Sequence, residues 1–254
     1  MTKTKTKGTT HGNWVSIRLV IVPAFLCIIS AALIPISPYL LIPTGVFLFI
    51  SAYFLYARYL FSPTGGNIQE KVSSVVMEKL DWDGKGRALD IGCGTGALTI
   101  QLAKRYSHSF VVGTDCWGGM WGYSEKACQY NANQEKVADR VTFQRASASS
   151  LPFADEEFNA VVSNLVFHEV RDTSDRVSLI KEALRVLKKG GKFTFQDLFG
   201  IRKFYGKPGD LVKTMKDWGI SKVEYLDTRE LPFIPTALKL PFMLGTLGLL
   251  TGEK

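Results

Sequence analysis

Two carboxylates bracket a glycine-rich turn in this chain. Asp90 opens the run Asp90-Ile91-Gly92-Cys93-Gly94-Thr95-Gly96, and Asp115 follows 19 residues past Gly96. Glycines permit a tight turn and a close approach of backbone to ligand. N–H groups at the head of a following helix suit a carboxylate or a phosphate. The run also satisfies G-x-G-x-x-G/A, with Ala97 in the last place, so a dinucleotide is one candidate ligand. Asp115 offers two oxygens to paired ribose hydroxyls, a demand shared by NAD and adenosyl compounds. Asp90 discriminates between them. Beside a pyrophosphate a carboxylate is repelled, at a cost of about a few kcal/mol in low dielectric; beside an ammonium it is welcome. The ligand these residues suit is a nucleoside with an amino-acid end.

The elements that hold them alternate. Short apolar runs read as strands at Arg87–Ile91, Phe110–Thr114, Val141–Arg145, Phe158–Asn164 and Lys192–Asp197. Helical patterns fall at about 97–106, 122–133 and 174–187. Such alternation predicts a parallel sheet with helices on both faces. Ile68, Val72, Val75, Val76 and Leu80 share one face of a further helix over 67–80, expected on the sheet edge and over the cofactor. Gly190-Gly191 reads as a helix stop behind the basic Lys188-Lys189. Beyond it, 210–218 reads as a helix and 222–226 as a strand.

In this setting the glycine run resembles the first motif of class I S-adenosylmethionine-dependent methyltransferases, D-x-G-x-G-x-G. The likeness continues in order. Val111-Val-Gly-Thr-Asp115 resembles the second motif and Gln144-Arg-Ala-Ser-Ala-Ser-Ser-Leu-Pro-Phe153 the third. Phe158–Asn164 resembles the fourth strand, and Ala183–Lys192 the turn into the fifth. It covers about residues 67–200. It implies an α/β, Rossmann-like, mostly parallel seven-stranded sheet, closed by an antiparallel strand over Leu244–Gly252. It also implies S-adenosyl-L-methionine as cofactor, held by Asp90, Gly92, Cys93, Gly94, Thr95, Gly96, Asp115, Cys116, Ser147, Ala148 and Asn164. One position departs: Ser147 stands where the family places an acid for the adenine amino group. Backbone at Ser147 and Ala148 is left to hold the base.

Methyl transfer from a sulfonium needs alignment above all, and a base only where the acceptor is a neutral hydroxyl or amine. Asn164, at the carboxyl end of the fourth strand, is expected at the methyl-donor end. Ser163-Asn-Leu-Val166 departs from the N/D-P-P-Y pattern of DNA-adenine and glutamine methyltransferases, so those substrates are not expected. His168 is the candidate base, set against a packing role. Trp117, Trp121 and Tyr123 either stack on the ligand or join the core. Cys93 and Cys116 read as small packing residues. None of the four cysteines forms a CxxC pair, so neither a disulfide framework nor a metal site is expected.

The N-terminus reads differently. From Leu19 to Ala57 no residue is charged. As helix this length spans about 58 Å, roughly twice a hydrocarbon core. Pro35 and Pro38 break it. The expectation is a transmembrane hairpin with spans at about 14–34 and 39–59, edged by Trp14, Tyr39, Tyr56 and Tyr59. Residues 1–61 then form tail and anchor, and 62–254 the methyltransferase domain. No small-x-small cleavage site follows the first span, so a signal peptide fits less well. Residues 1–61 carry five lysines and arginines and no acid, while the rest carries 26 basic and 23 acidic residues. Basic flanks around an uncharged turn put the N-terminus and the large domain in the cytoplasm. Most of the net charge of +8 lies on the flanks, which argues against a nucleic-acid partner. The apolar tail 231–243 is a second segment that a bilayer could receive. The function expected is methyl transfer to a small or lipid-like acceptor at the membrane. An NAD(P)-dependent oxidoreductase and a non-catalytic membrane-bound binding protein are the competing readings.

Overall fold

The alternation of apolar runs and amphipathic helices folds as seven strands in the order β3-β2-β1-β4-β5-β7-β6. The computed structural model describes residues 12–118 and 123–254. It divides into two units, Asn13–Val72 and Ser73–Lys254.

In the larger unit the strands are β1 (Gly86–Ile91), β2 (Ser109–Asp115), β3 (Val141–Arg145), β4 (Phe158–Asn164), β5 (Leu187–Asp197), β6 (Lys222–Asp227) and β7 (Gly248–Glu253). The first five are parallel. β7 runs antiparallel between β5 and β6, so the closing strand takes the expected place. Helix α3 (Ile68–Lys79) precedes β1, α4 (Ala97–Arg105) and α5 (Glu125–Gln134) flank β2, and α6 (Arg176–Arg185) precedes β5. Two further helices, α7 (Arg202–Tyr205) and α8 (Pro208–Asp217), lead to β6.

Alternate residues of the strands feed two cores. Leu89, Ile91, Val161, Phe193 and Phe195 pack under Leu179, Ile180 and Ala183 of α6 and Met215 of α8. Ala88, Val111, Ala160 and Val162 pack under Val76 and Met77 of α3, Leu98 and Leu102 of α4 and Ala132 of α5. Each such side chain contributes about 1.5–3 kcal/mol on leaving water. Val76 and Met77 of α3 thus share one core with β1 and β4, and Thr251 of β7 donates to Lys79 O at the end of the helix.

Local signals set the ends. Asp175 caps α6 by accepting from Val177 and Ser178 N–H at 3.0 and 3.1 Å, and Ser124 caps α5 through Ala127 N–H. The expected start of α5 at residue 122 lies outside the described residues. α6 stops at Arg185, two residues early, and Gly190-Gly191 is not a helix stop. Leu187 already pairs with Phe158 in the sheet. Gly190, at φ 75°, bends the strand so that its N–H reaches Lys254 O at 2.7 Å. In the 231–243 stretch Ile234 and Leu238 are buried, while Leu240 and Phe242 are exposed.

The smaller unit holds α1 (Arg18–Ala32), a 3-10 turn (Pro38–Leu40) and α2 (Leu41–Phe61). The break falls at the prolines. α1 and α2 pack side by side, tied by Thr44 Oγ1 to Ser30 Oγ at 2.8 Å and Ser51 Oγ to Val20 O at 3.0 Å. Their outer faces show Phe25, Ile28, Ile42 and Phe49. Only Pro38–Phe61, 24 residues, is long and apolar enough to cross a membrane among the described residues. The first span, expected over 14–34, is shorter than forecast: its regular helix has 15 residues, because the chain starts the helix only at Arg18 and unwinds into turns over residues 33–36.

Candidate functional site

The glycine turn joins β1 to α4 at the carboxyl ends of the parallel strands, where ligands of open α/β sheets bind. Its first N–H groups point back to β2: Gly92 and Cys93 donate to Thr114 O at 2.7 and 2.9 Å. Gly92 has φ 73°, and a Cβ there would lie 2.1 Å from Val166 Cγ2. The turn and the segment after β4 thus interlock at a place only glycine fits. Gly96 caps α4 at φ 81°.

Asp115 organises the open side of the turn. Its Oδ2 accepts Gly94 N–H at 2.9 Å and its Oδ1 accepts Trp117 N–H at 2.7 Å. Trp117, in the left-handed region at φ 33°, returns its indole N–H to Gly94 O at 2.9 Å. Asn131 Nδ2 donates to Thr95 O and Cys128 Sγ to Gly94 O. Tyr123 lies 3.5 Å from the place of a Gly94 Cβ. Two of the three expected aromatics therefore pack on the turn, and Trp121 lies outside the described residues. Cys116 is exposed and reaches Ala146 O at 3.4 Å.

Asp90 is placed behind the turn instead of beside its open face. It is 1% exposed and accepts Thr99 Oγ1 at 2.6 Å. Burial pushes its carboxyl up to about 7, with Thr99 opposing and the charge of Asp115 adding to the rise. Its charge acts on the turn through the backbone and depends on pH near neutrality. Burial, with Cys128 and Asp90 nearby, also raises the Cys93 thiol, which fits a packing role.

At the ends of β4 and β5 the picture changes. Asn164 donates to Ser73 Oγ at 3.0 Å, but its Oδ1 has no partner. Its register neighbour Gln196 is fully buried, with neither Oε1 nor Nε2 paired. Leu165 follows Asn164 at φ 59°, a conformation costly for a leucine. Gln196 carries no motif in the sequence, and only its place at a strand end marks it.

His168 is not poised as a free base. Its Nδ1 lies 2.7 Å from Oδ1 of the fully buried Asp197, and its Nε2 is 3.5 Å from Glu169. Burial opposes its charge. The carboxylates of Asp197 and Glu169 outweigh that and raise it to about 10, so at neutral pH the ring is a cation without a lone pair to offer. Asp197 Oδ2 also accepts Val166 and Phe167 N–H at 3.1 and 2.8 Å. The pair ties down the loop after β4, which favours the packing role.

Ser147, on the loop after β3, donates to Asp172 Oδ2 at 2.5 Å, and Ala148 is buried beside it. Among the described residues no group of His, Cys, Asp and Glu is arranged to hold a metal.

A family model described as a methyltransferase domain matches residues 89–195. This segment resembles a methyltransferase domain. The match begins one residue before Asp90 and ends one residue before Gln196, so the turn, Asp115, the β3 loop and Asn164 all lie within it. Solved structures that share the fold at 15–16% identity include geranyl diphosphate methyltransferases in complex with S-adenosyl-L-homocysteine and with SAM. The demethylmenaquinone methyltransferase of Lactiplantibacillus plantarum is 31% identical over 149 residues, 58% of this chain and 57% of that protein. The malonyl-[acyl-carrier protein] O-methyltransferase of Geobacter sulfurreducens is 36% identical over 139 residues, 54% of this chain and 48% of that one. The chain thus spans about half the length of the curated relatives it matches. A geranyl diphosphate methyltransferase solved with its substrate and sinefungin superposes with a TM-score of 0.57 at 15% identity, over 78% of this chain and 82% of that one. The last likeness concerns fold.

Proposed function

We propose that the chain transfers a methyl group from S-adenosylmethionine to a small, lipid-like acceptor, and that its N-terminal hairpin holds it to a membrane with the domain on the cytoplasmic side. The observation that carries the reading is the pairing of Asp115 with the glycine turn, which sets a half-buried carboxylate beside the head of α4.

The residues fit the cofactor. A Cβ at Gly92 would overlap Val166, so the turn keeps a side-chain-free cradle. Asp115 is half-buried, and its oxygens keep lone pairs for two ribose hydroxyls. The positive end of the α4 dipole, just past the turn, suits the carboxylate, and ionised Asp90 suits the ammonium. Backbone at Ser147 and Ala148 suits the base, with Cys116 at the same rim. When bound, the cofactor supplies an already activated methyl group. The protein's share is orientation and exclusion of water.

Asn164 borders both sides of the site. Its unpaired Oδ1 and the unpaired amide of Gln196 are hydrogen-bonding groups suited to an oxygen-bearing acceptor. With His168 cationic, no free base stands at the end of β4. This favours an acceptor that supplies its own electron pair, such as an enolate or an acidic ring hydroxyl. The first relative's name, a demethylmenaquinone methyltransferase, is in keeping with an apolar acceptor of that kind. The helix Pro38–Phe61 and the exposed apolar faces of α1 and α2 support a bilayer anchor, with α1 lengthened by the turns at either end.

The test uses the full chain in detergent-lipid vesicles with methyl-tritiated S-adenosylmethionine and a lipid extract. Label is expected in the organic phase, and absent with Asp115→Ala. Label confined to water-soluble products overturns the lipid-like acceptor; no transfer to any extract overturns the activity. Carbonate washing is expected to leave the chain on membranes, and its release would overturn the anchor.

A further inference from the structure

We infer that Asp172, presented by Ser147 and Ser149, is the hydrogen-bond acceptor that selects the amino edge of adenine in the nucleoside pocket. The inference rests on the cofactor reading above.

Asp172 lies in the loop between the 3-10 turn Phe167–Glu169 and α6, 25 residues from Ser147. Both serine hydroxyls turn to one oxygen: Ser147 Oγ at 2.5 Å and Ser149 Oγ at 2.6 Å from Asp172 Oδ2. Such short contacts are those of hydroxyls donating to an ionised carboxylate. They aim the group and leave Oδ1 without a side-chain donor. The two hydroxyls hold the carboxyl below the usual carboxylate range, so the acceptor is charged at any working pH. The residue is exposed, so a ligand can reach it.

The second observation is a donor next to this acceptor. Ala148 is buried, yet its N–H makes no hydrogen bond. A free donor flanked by an anionic acceptor complements one kind of purine edge. Adenine offers an acceptor at N1 and a donor at its amino group. Hypoxanthine offers the reverse, with its oxygen toward the carboxylate. Sites built around buried polar groups reject such mismatches strongly.

The position suits a base. Ala146 N–H donates to Asp115 O at 3.1 Å, and Cys116 Sγ reaches Ala146 O. The β3 loop therefore abuts the strand end that bears the ribose-binding candidate. Ser147 itself is not an acid, but it recruits one from across the loops.

Calorimetry on the full chain in detergent decides it, with S-adenosylhomocysteine and its deaminated analogue S-inosylhomocysteine as probes. The native protein is expected to prefer the adenosyl compound at least tenfold. Asp172→Asn, whose amide accepts or donates, is expected to bind it about tenfold more weakly and the inosyl compound no worse, so that the preference collapses. The double variant Ser147→Ala with Ser149→Ala, which keeps the acid but frees it, narrows the preference less. It serves as the readout should Asp172→Asn not fold. An unchanged ratio, whether both affinities stay or fall together, overturns the inference and leaves a loop tie. Failure of the native protein to bind either compound overturns the cofactor reading instead.

Discussion

The two halves of the site are finished to different degrees. At the ends of β1 and β2, the Asp115 carboxylate, the Gly94 and Trp117 amides and the Trp117 indole all close on one another within 2.7–2.9 Å. At the ends of β4 and β5, Asn164 and Gln196 leave buried polar atoms unpaired beside a leucine in left-handed conformation. Each such atom costs about 1–3 kcal/mol. A completed cradle suits a cofactor common to many reactions, whereas unpaired groups suit a partner that arrives only with the acceptor. Between the halves stands the His168–Asp197 pair, which ties down the loop after β4.

The largest expected effect tests that separation. Asp197→Ala strips partners from His168 and from the Val166 and Phe167 amides. Removal of one member of a buried pair costs about 3–5 kcal/mol, to be read from urea unfolding. The pair also carries a pH signature. With its pKa raised from 6.5 to about 10, His168 contributes stability that is full below pH 6.5. That stability declines as pH rises above 6.5 and is gone once pH passes about 10, so the native chain should soften between pH 6.5 and 10. A variant stable to within a few tenths of a kcal/mol would show that the loop after β4 is held by something else.

The next two effects fall on the finished half. Asp115→Ala should weaken S-adenosylhomocysteine by about 1.5–3 kcal/mol, as for hydrogen bonds to a charged group, and lower thermal stability as well, because the Gly94 and Trp117 N–H groups lose their acceptor. Asp90 should act through pH. Its carboxyl titrates at about 7, so the neutral form predominates below that and the ionised form above. Affinity for an ammonium-bearing ligand should therefore rise by up to about tenfold from pH 6 to pH 8, by proton linkage. Asp90→Asn should flatten that profile. A flat profile in the native chain would place the ammonium beyond the reach of Asp90.

The same contrast explains what could be read in advance. The finished half is contiguous in sequence: Asp90, the glycines and Asp115 lie within 26 residues, and each residue type is dictated by a backbone need. The strands from β1 to β4 were legible for the same reason, as apolar runs between turn residues. The rest depends on distant partners. Asp172 reaches Ser147 across 25 residues, Asp197 reaches His168 across 29, and Ser73 reaches Asn164 across 91; no local pattern marks such meetings. Gly190 misled because the same residue that ends helices also bends strands, and only the Lys254 contact shows which it does. The side of the turn that Asp90 occupies was likewise hidden, since Thr99 captures it from one helical turn further on.

The smallest expected effect bears most directly on the unfinished half. Gln196→Leu replaces two unpaired buried atoms by methyl groups of similar bulk. If the amide exists for an acceptor, the variant has no native bond to lose, and its stability should hold or rise by about 1 kcal/mol. S-adenosylhomocysteine affinity should be unchanged, because the β1 and β2 side is closed on itself. Turnover of the labelled acceptor should fall, with KM rising more than kcat drops, as when binding shared by ground and transition states is removed. A variant that loses stability while keeping its turnover would reverse the assignment: Gln196 would then be paired through buried water as a structural group, and the two halves would differ in solvent, not in purpose.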